Sequence, residues 1–175
     1  SILGGLGVLF IGMDMMSASM EPLREMPAFV NLMTSFSNPV LGILAGAVFT
    51  AIIQSSSASV GILQALANSG VVTLDSAVYV LFGQNIGTCI TAVLASIGTS
   101  RNAKRTTIIH LMFNIIGTIV FTTLCLVTPM LGMSLVDFIK SLTPINPAAQ
   151  IANMHTLFNI VTTLLLLPLG KWMVK

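Results

Sequence analysis

The chain has 175 residues, 55% of them hydrophobic and only 7% charged, with a mean hydropathy of +0.99. Soluble domains carry about 25% charged residues, so seven Lys/Arg and five Asp/Glu cannot build a water-facing surface, and a net charge of +2 excludes a nucleic-acid footprint. Cys89 and Cys125 both sit in apolar stretches, which excludes a disulfide framework and a metal quartet.

The expected solvent is therefore the lipid bilayer. At roughly 20 residues per crossing, the length predicts one all-α, polytopic membrane domain. Residues 1–20 read as a first span, with Gly4, Gly5, Gly7 and Gly12 as small residues that allow close helix approach. No basic residue precedes its apolar run and Asp14 interrupts it, so it does not read as a secretory signal. Ser1 in place of Met suggests a processed chain or a piece of a longer one. Residues 21–37, containing Pro27, read as an interfacial connector.

Residues 38–73 carry the strongest signal. Asn38-Pro39 predicts a helix start. The apolar run Val40 to Ile53 halts at Gln54-Ser55-Ser56-Ser57, and a second run, Ala58 to Ala67, halts at Asn68-Ser69-Gly70. At 1.5 Å per residue the arms reach about 21 and 15 Å, short of a hydrocarbon core about 30 Å thick. One continuous helix through Gln54 is the alternative, but four polar side chains in a row would put some toward lipid, so the spacing predicts a re-entrant helical hairpin with its polar tip at mid-depth. Residues 74–99 read as a span broken at Gly83-Gln84-Asn85-Ile86-Gly87-Thr88, and Arg101 to Arg105 as a short basic loop. Residues 106–131 form the next span, 132–146 an amphipathic connector and 147–174 the last span, with Trp172 between Lys171 and Lys175 as an interfacial anchor.

Counting Lys and Arg orients these spans. Arg101, Lys104, Arg105, Lys171 and Lys175 share one face, and Arg24 and Lys140 the other. The positive-inside rule makes the first face cytoplasmic, which places 100–105 and the C-terminus inside and opens the hairpin to the outside.

Three polar features need roles inside an apolar chain. If the chain turns at Gln54 to Ser57, the half-helix from Ala58 aims its free N–H groups and positive dipole end into the membrane. Its hydroxyls and the Gln54 carbonyl oxygen can serve an anion or a hard cation, as discontinuous helices do in secondary transporters. The alternative is that serines serve helix packing. Gly83 to Thr88 offers a second polar interruption, with Thr88 and Thr91 as further oxygen ligands and a glycine packing face as the plainer reading. His110, Asn114 and Thr118 are echoed by His155, Asn159 and Thr163; at i, i+4 and i+8 each set lines one helix face. Interhelical hydrogen bonding is the expected role. An intramembrane hydrolase built on Ser57 with His110 or His155 finds no nucleophile elbow, so the chain is not read as an enzyme. A non-transporting scaffold would have no need of two polar interruptions.

The pairing of Q-S-S-S-A, Gln54 to Ala58, with G-x-N-I-G-T, Gly83 to Thr88, resembles the sodium-phosphate cotransporter family, the type II Na/Pi symporters and their bacterial relatives. The likeness extends over Leu41 to Ala67, Gln84 to Asn102 and Asn146 to Asn159. It implies sodium-coupled symport of inorganic phosphate by alternating access, moving phosphate inward, with Na⁺ as coupling ion and no other cofactor; a transporter or channel for another small anion is the runner-up. It further implies that Gln54, Ser55, Ser56 and Ser57 line a phosphate and sodium site, that Gln84, Asn85, Thr88 and Thr91 lie opposite them chiefly as sodium ligands, and that the setting is a bacterial inner (cell) membrane. Family members resemble two inverted repeats, and this chain, with one Q-S-S-S, is most like the second. A homologous first-repeat half, in the same or a separate chain, is therefore expected in preference to a homodimer. Two positions depart from the family pattern: Cys89 replaces a Thr whose hydroxyl could bind sodium, and Gln84 replaces a commoner small residue.

Overall fold

A computed structural model of the chain describes residues 2–20, 22 and 25–170. Arg24, Lys171, Trp172 and Lys175, on which the charge count and the interfacial anchor partly rest, lie outside the described residues. Among the described residues there are eight α-helices and no strand: α1 (Ile2–Met20), α2 (Pro27–Ser35), α3 (Pro39–Ile53), α4 (Ser56–Asn68), α5 (Leu74–Ala95), α6 (Arg101–Val127), α7 (Leu135–Leu142) and α8 (Pro147–Leu166). Two of them, α5 and α6 with its 3₁₀ extension to Leu131, are long and apolar enough to cross a membrane.

Asn38 starts α3 as the sequence predicts. Its Oδ1 accepts the N–H groups of Val40 at 3.0 Å and Leu41 at 3.4 Å, and Pro39 occupies the first turn, where no N–H is missed. The helix stops because Gln54 turns left-handed, at φ 57°, the one non-glycine residue in that region among those described. Ser55 is extended and caps α4 at once, so two residues reverse the chain. The arms are 15 and 13 residues, about 22 and 20 Å long. The second arm begins at Ser56 rather than Ala58, because the Ser55 cap draws the two following serines into the first turn.

Helix α5 is the centre of the molecule, and α3 runs parallel to it in backbone contact. A Cβ on Gly42 would come within 2.7 Å of the Tyr79 Cβ. One on Gly46 would overlap the Val80 carbonyl oxygen, one on Gly83 that of Ile43, and one on Gly87 that of Ala47. Gly42 and Gly46 thus face α5 while Gly83 and Gly87 face α3, a reciprocal small-residue crossing of the kind that lets helices meet without side chains between them. This corrects the expected break at Gly83 to Thr88. The helix runs unbroken through all six residues, since its two glycines serve the crossing and keep helical geometry.

On its other sides α5 receives α4, α6 and α8. Phe82 stacks on Phe158 at 5.4 Å between ring centroids and meets Phe121 edge-on at 5.8 Å, and all three rings are fully buried. Gly117 lets α6 close on α8, where a Cβ would meet the Phe158 ring at 2.7 Å. At the end where α5 begins, Asn68 Oδ1 accepts the Ala148 N–H at 3.2 Å, so α4 helps cap α8. Helix α7 docks there through Val136 and Ile139, with Lys140 Nζ 2.6 Å from Asp75 Oδ2 at the start of α5.

Two further expectations change. Arg101 to Arg105 is no loop but the first turn and a half of α6, because Ser100 Oγ caps it through the Ala103 N–H. Helix α8 ends at Leu166, where Pro168 has no N–H to continue the ladder; residues 171–174 of the expected span lie outside the described residues.

The crossing predicts a sharp contrast between glycines. Gly83→Ala pushes a methyl group into backbone that no rotamer change can move, and is expected to cost about 1–3 kcal/mol. Gly5→Ala, with nothing within 4 Å of its added Cβ, should leave the melting temperature of the detergent-solubilised protein unchanged. Equal melting of the two variants would refute the backbone contact.

Candidate functional site

The site is assembled from the α3–α4 reversal and the adjoining face of α5. The Gln54 N–H ends α3 by donating to the Thr50 carbonyl at 2.7 Å, and its side chain is exposed. Ser55 Oγ accepts the Ala58 N–H at 3.3 Å. Ser59 N–H, bonded to the Ser55 carbonyl at 3.0 Å, is the first donor of α4 with a helical partner. That leaves the Ser56 and Ser57 amides as first-turn donors at the positive end of α4, beside the half-buried Ser56 and exposed Ser57 side chains. The tip is a cluster of neutral donors and acceptors of the kind that suits an anion.

Register decides what faces the tip. Gly42 meets Tyr79, Gly46 lies between Val80 and Gln84, and Gly87 lies against Thr50. Continuing this parallel pairing puts Gln54 level with Thr91, and the following serines between Thr91 and Thr88. The tip thus stands beyond the middle of α5, towards its C-terminal end. Gln84, Thr88 and Thr91, at i, i+4 and i+7, share one face of α5.

Their partners differ. Gln84 is buried, and its Nε2 donates to the Ser59 carbonyl at 3.0 Å, while its Oε1 is buried without a partner. Asn85 points round the helix to α8, with Oδ1 2.9 Å from His155 Nε2 and its Nδ2 buried and unpartnered. Thr88 and Thr91 turn their hydroxyl hydrogens back on the helix, to the Gln84 and Thr88 carbonyls at 2.9 and 3.0 Å, which leaves their oxygens free to accept or coordinate. Thr91 is exposed. The structure therefore brings Gln84 to the hairpin directly, places Thr88 and Thr91 at the level of the tip, and sends Asn85 to a different neighbour.

Cys89 faces away from the tip. It is buried against α6, where Asn114 Nδ2 donates to its Sγ at 3.3 Å. A hydroxyl there would face α6 as well, so the cysteine changes a packing contact and removes no oxygen from the site. The echoed His/Asn/Thr stripes divide similarly. His155, Asn114 and Thr118 bond across to α5, the last to the Phe82 carbonyl at 3.3 Å, whereas Asn159 and Thr163 bond within their own helix.

Two residues escaped the sequence reading. Thr50 and Ser59 are both fully buried, and their hydroxyls lie 2.7 Å apart, tying the two arms together one turn behind the tip. The signal was present in the spacing: Gly42, Gly46 and Thr50 continue one i, i+4 row of small residues facing α5.

A family model described as Na+/Pi-cotransporter matches residues 6–142. The uncharacterized protein YqeW of Bacillus subtilis is 39% identical over 166 residues, which cover 94% of this chain and 52% of that protein. The sodium-dependent phosphate transport protein 2B of Homo sapiens is 42% identical over 81 residues, 44% of this chain and 12% of that protein. The putative inorganic phosphate export protein YjbB of Salmonella typhimurium is 24% identical over 172 residues, 98% of this chain and 30% of that protein. The chain spans about half the length of YqeW and less of the others. No solved structure matches it.

The Thr50–Ser59 bridge can be weighed by a double-mutant cycle. Ser59→Ala leaves the Thr50 hydroxyl buried without its partner, and Thr50→Val does the reverse; each is expected to cost about 1–3 kcal/mol. The double variant should cost clearly less than the two together, as measured by thermal melting in detergent. Strict additivity would show that the bridge contributes nothing.

Proposed function

We propose, for a chain that belongs to the Na+/Pi-cotransporter family, that it supplies one half of the substrate site of a sodium-coupled phosphate symporter working by alternating access. The observation that carries this reading is the capped reversal at Gln54-Ser55, which leaves the Ser56 and Ser57 amides as first-turn donors one turn before the Ser59 carbonyl that Gln84 of α5 reaches. Phosphate would sit at the tip on these amides and the hydroxyls of Ser55, Ser56 and Ser57, with the Gln54 amide beside them. Sodium would sit chiefly on the α5 side, among the oxygens of Gln84, Thr88 and Thr91 together with Asn85. Hydroxyls, a half-helix N-terminus and Na⁺ can share the phosphate charge without a buried Arg. No covalent step is involved, and the chain is not an enzyme.

In this reading α3 and α4 form a re-entrant hairpin entered from outside, and 100–105 is cytoplasmic. The membrane is a bacterial inner membrane. The tip's Gln54 and Ser57 are exposed on this chain alone, and polar groups of this kind are costly to leave against lipid. A homologous first-repeat half would cover them, in keeping with the length of the relatives. Two copies in one orientation would place both hairpins on the same side and could not form an inverted pair. The likeness to a protein named as a putative phosphate exporter supports a second reading in which net flow runs outward.

Three measurements test this. Radiolabelled phosphate uptake into proteoliposomes should require an inward sodium gradient, and sodium-independent uptake would refute the coupling; net release of preloaded phosphate with no net uptake would favour export. Ser56→Ala and Gln54→Ala should weaken phosphate binding by about ten- to 150-fold, the equivalent of about 1.5–3 kcal/mol for a hydrogen bond to a charged ligand, while Thr88→Val weakens sodium more than phosphate. A Cys at Asn38 or Ser69 should react with an impermeant reagent from outside, and one at Asn102 only from the cytoplasm.

A further inference from the structure

Gln84 and Asn85 are neighbours on α5, yet their buried amides are left with free atoms of opposite polarity. Gln84 faces a backbone carbonyl, that of Ser59, at 3.0 Å. A carbonyl can only accept, so Nε2 must face it and the free atom is the oxygen Oε1. Asn85 faces an imidazole nitrogen, which can donate or accept according to its tautomer. Its Oδ1 is the atom 2.9 Å from His155 Nε2. That pairing needs the proton on Nε2, and it leaves Nδ2, a pair of N–H donors, as the free and buried atom. An unpartnered buried polar group is costly. A free oxygen is relieved by a cation, and free N–H groups by an anion.

We infer that His155 is a positioning residue which, by donating to Asn85 Oδ1, presents the Asn85 amide N–H groups to the transported anion, so that Gln84 serves sodium and Asn85 serves phosphate. The inference rests on the functional reading above, in which Asn85 stands with the sodium ligands, and moves that one residue to the anion because its Oδ1 is already held by His155. The opposite ring tautomer would turn the amide over and offer a cation its oxygen. His155 therefore sets the sign of the charge that Asn85 accepts, from a helix that the Q-S-S-S and N-I-G-T motifs do not include. Asn85 is buried and His155 half-buried, and the bond joins α5 to α8, each residue three positions from a ring of the Phe82–Phe158 stack.

The test uses the complete transporter in proteoliposomes, with inorganic phosphate and sodium titrated separately. Asn85→Asp keeps two oxygens and removes both N–H groups. It should raise the KM for phosphate by about ten- to 150-fold and leave the sodium dependence little changed. His155→Leu should shift the phosphate constant in the same direction, and His155→Gln, which keeps a donor near the Nε2 position, should restore it. A purely structural role would lower expression or maximal rate without separating the two ions and without rescue by Gln. If His155→Leu does not fold, Asn85→Asp against Asn85→Ala decides: both should lose phosphate if the N–H groups matter, whereas retention of phosphate by Asp overturns the inference. A raised sodium requirement with an unshifted phosphate KM in either variant overturns it as well. Wild-type protein that takes up no phosphate would overturn the functional reading and this inference together, while wild-type uptake with unshifted constants in both variants overturns the inference alone.

Discussion

The contact between the α3 and α5 backbones is what the rest of the structure hangs on. Four glycines, Gly42, Gly46, Gly83 and Gly87, let two parallel helices meet at backbone distance, with backbone alone on the facing helix at Gly46 and Gly83. Burial of apolar surface alone would not fix their register, because an apolar interface tolerates repacking. A backbone-to-backbone crossing does fix it, since each glycine fits one place on the opposing helix. Everything that positions the tip of the hairpin follows from that register: Thr50 lies beside Gly87, Ser59 returns to Thr50, and Gln84 reaches the Ser59 carbonyl. The helix-capping groups at Asn38, Ser55 and Ser100 then decide where each segment begins.

Polar groups inside this apolar chain fall into two kinds. One kind is fully paired and holds helices together: Thr50 with Ser59, Asn114 with Cys89, Thr118 with the Phe82 carbonyl, Gln64 Nε2 with the Ala148 carbonyl at 3.1 Å. The other kind is paired on one side only, and Gln84 and Asn85 are its clearest members. Where water is scarce an amide left half-satisfied is expensive, so its persistence beside a helix N-terminus is what directs attention to that part of the fold. The salt bridge between Lys140 and Asp75 is of another sort: it is partly exposed, with side chains 34% and 56% accessible, and steers α7 rather than stabilising the whole.

Sequence and structure agree where a local signal had a single meaning. Asn38-Pro39 could only start a helix, and Gln54 to Ser57 interrupts two apolar runs each too short to stand alone. They part company where one residue type serves two ends. Gly83 and Gly87 weaken a helix in isolation and tighten a helix pair in contact, and nothing within the Gly83 to Thr88 segment says which applies. The answer lay in Gly42 and Gly46, some forty residues away in the chain. Arg101 to Arg105 looked like a loop because charge was weighed above the Ser100 cap. Thr50 and Ser59 were passed over because single hydroxyls in apolar runs are common, and only the fold shows that these two meet. The divergence of Gln84 and Asn85 could not be read at all, because adjacent residues point about 100° apart on a helix and their partners come from α4 and α8.

The same crossing has a mechanical side. Where side chains separate two helices, rotamer changes let one slide on the other; where backbone touches backbone, no such soft coordinate exists. Helices α3 and α5 therefore form one stiff beam. Helix α4 is fastened to that beam by a hydroxyl pair, by one amide and by the two-residue reversal at its tip. At its far end α4 is tied to α8 by Gln64 and Asn68, so it bridges the beam and α8, and the Gln54-Ser55 turn is the two-residue link at its foot.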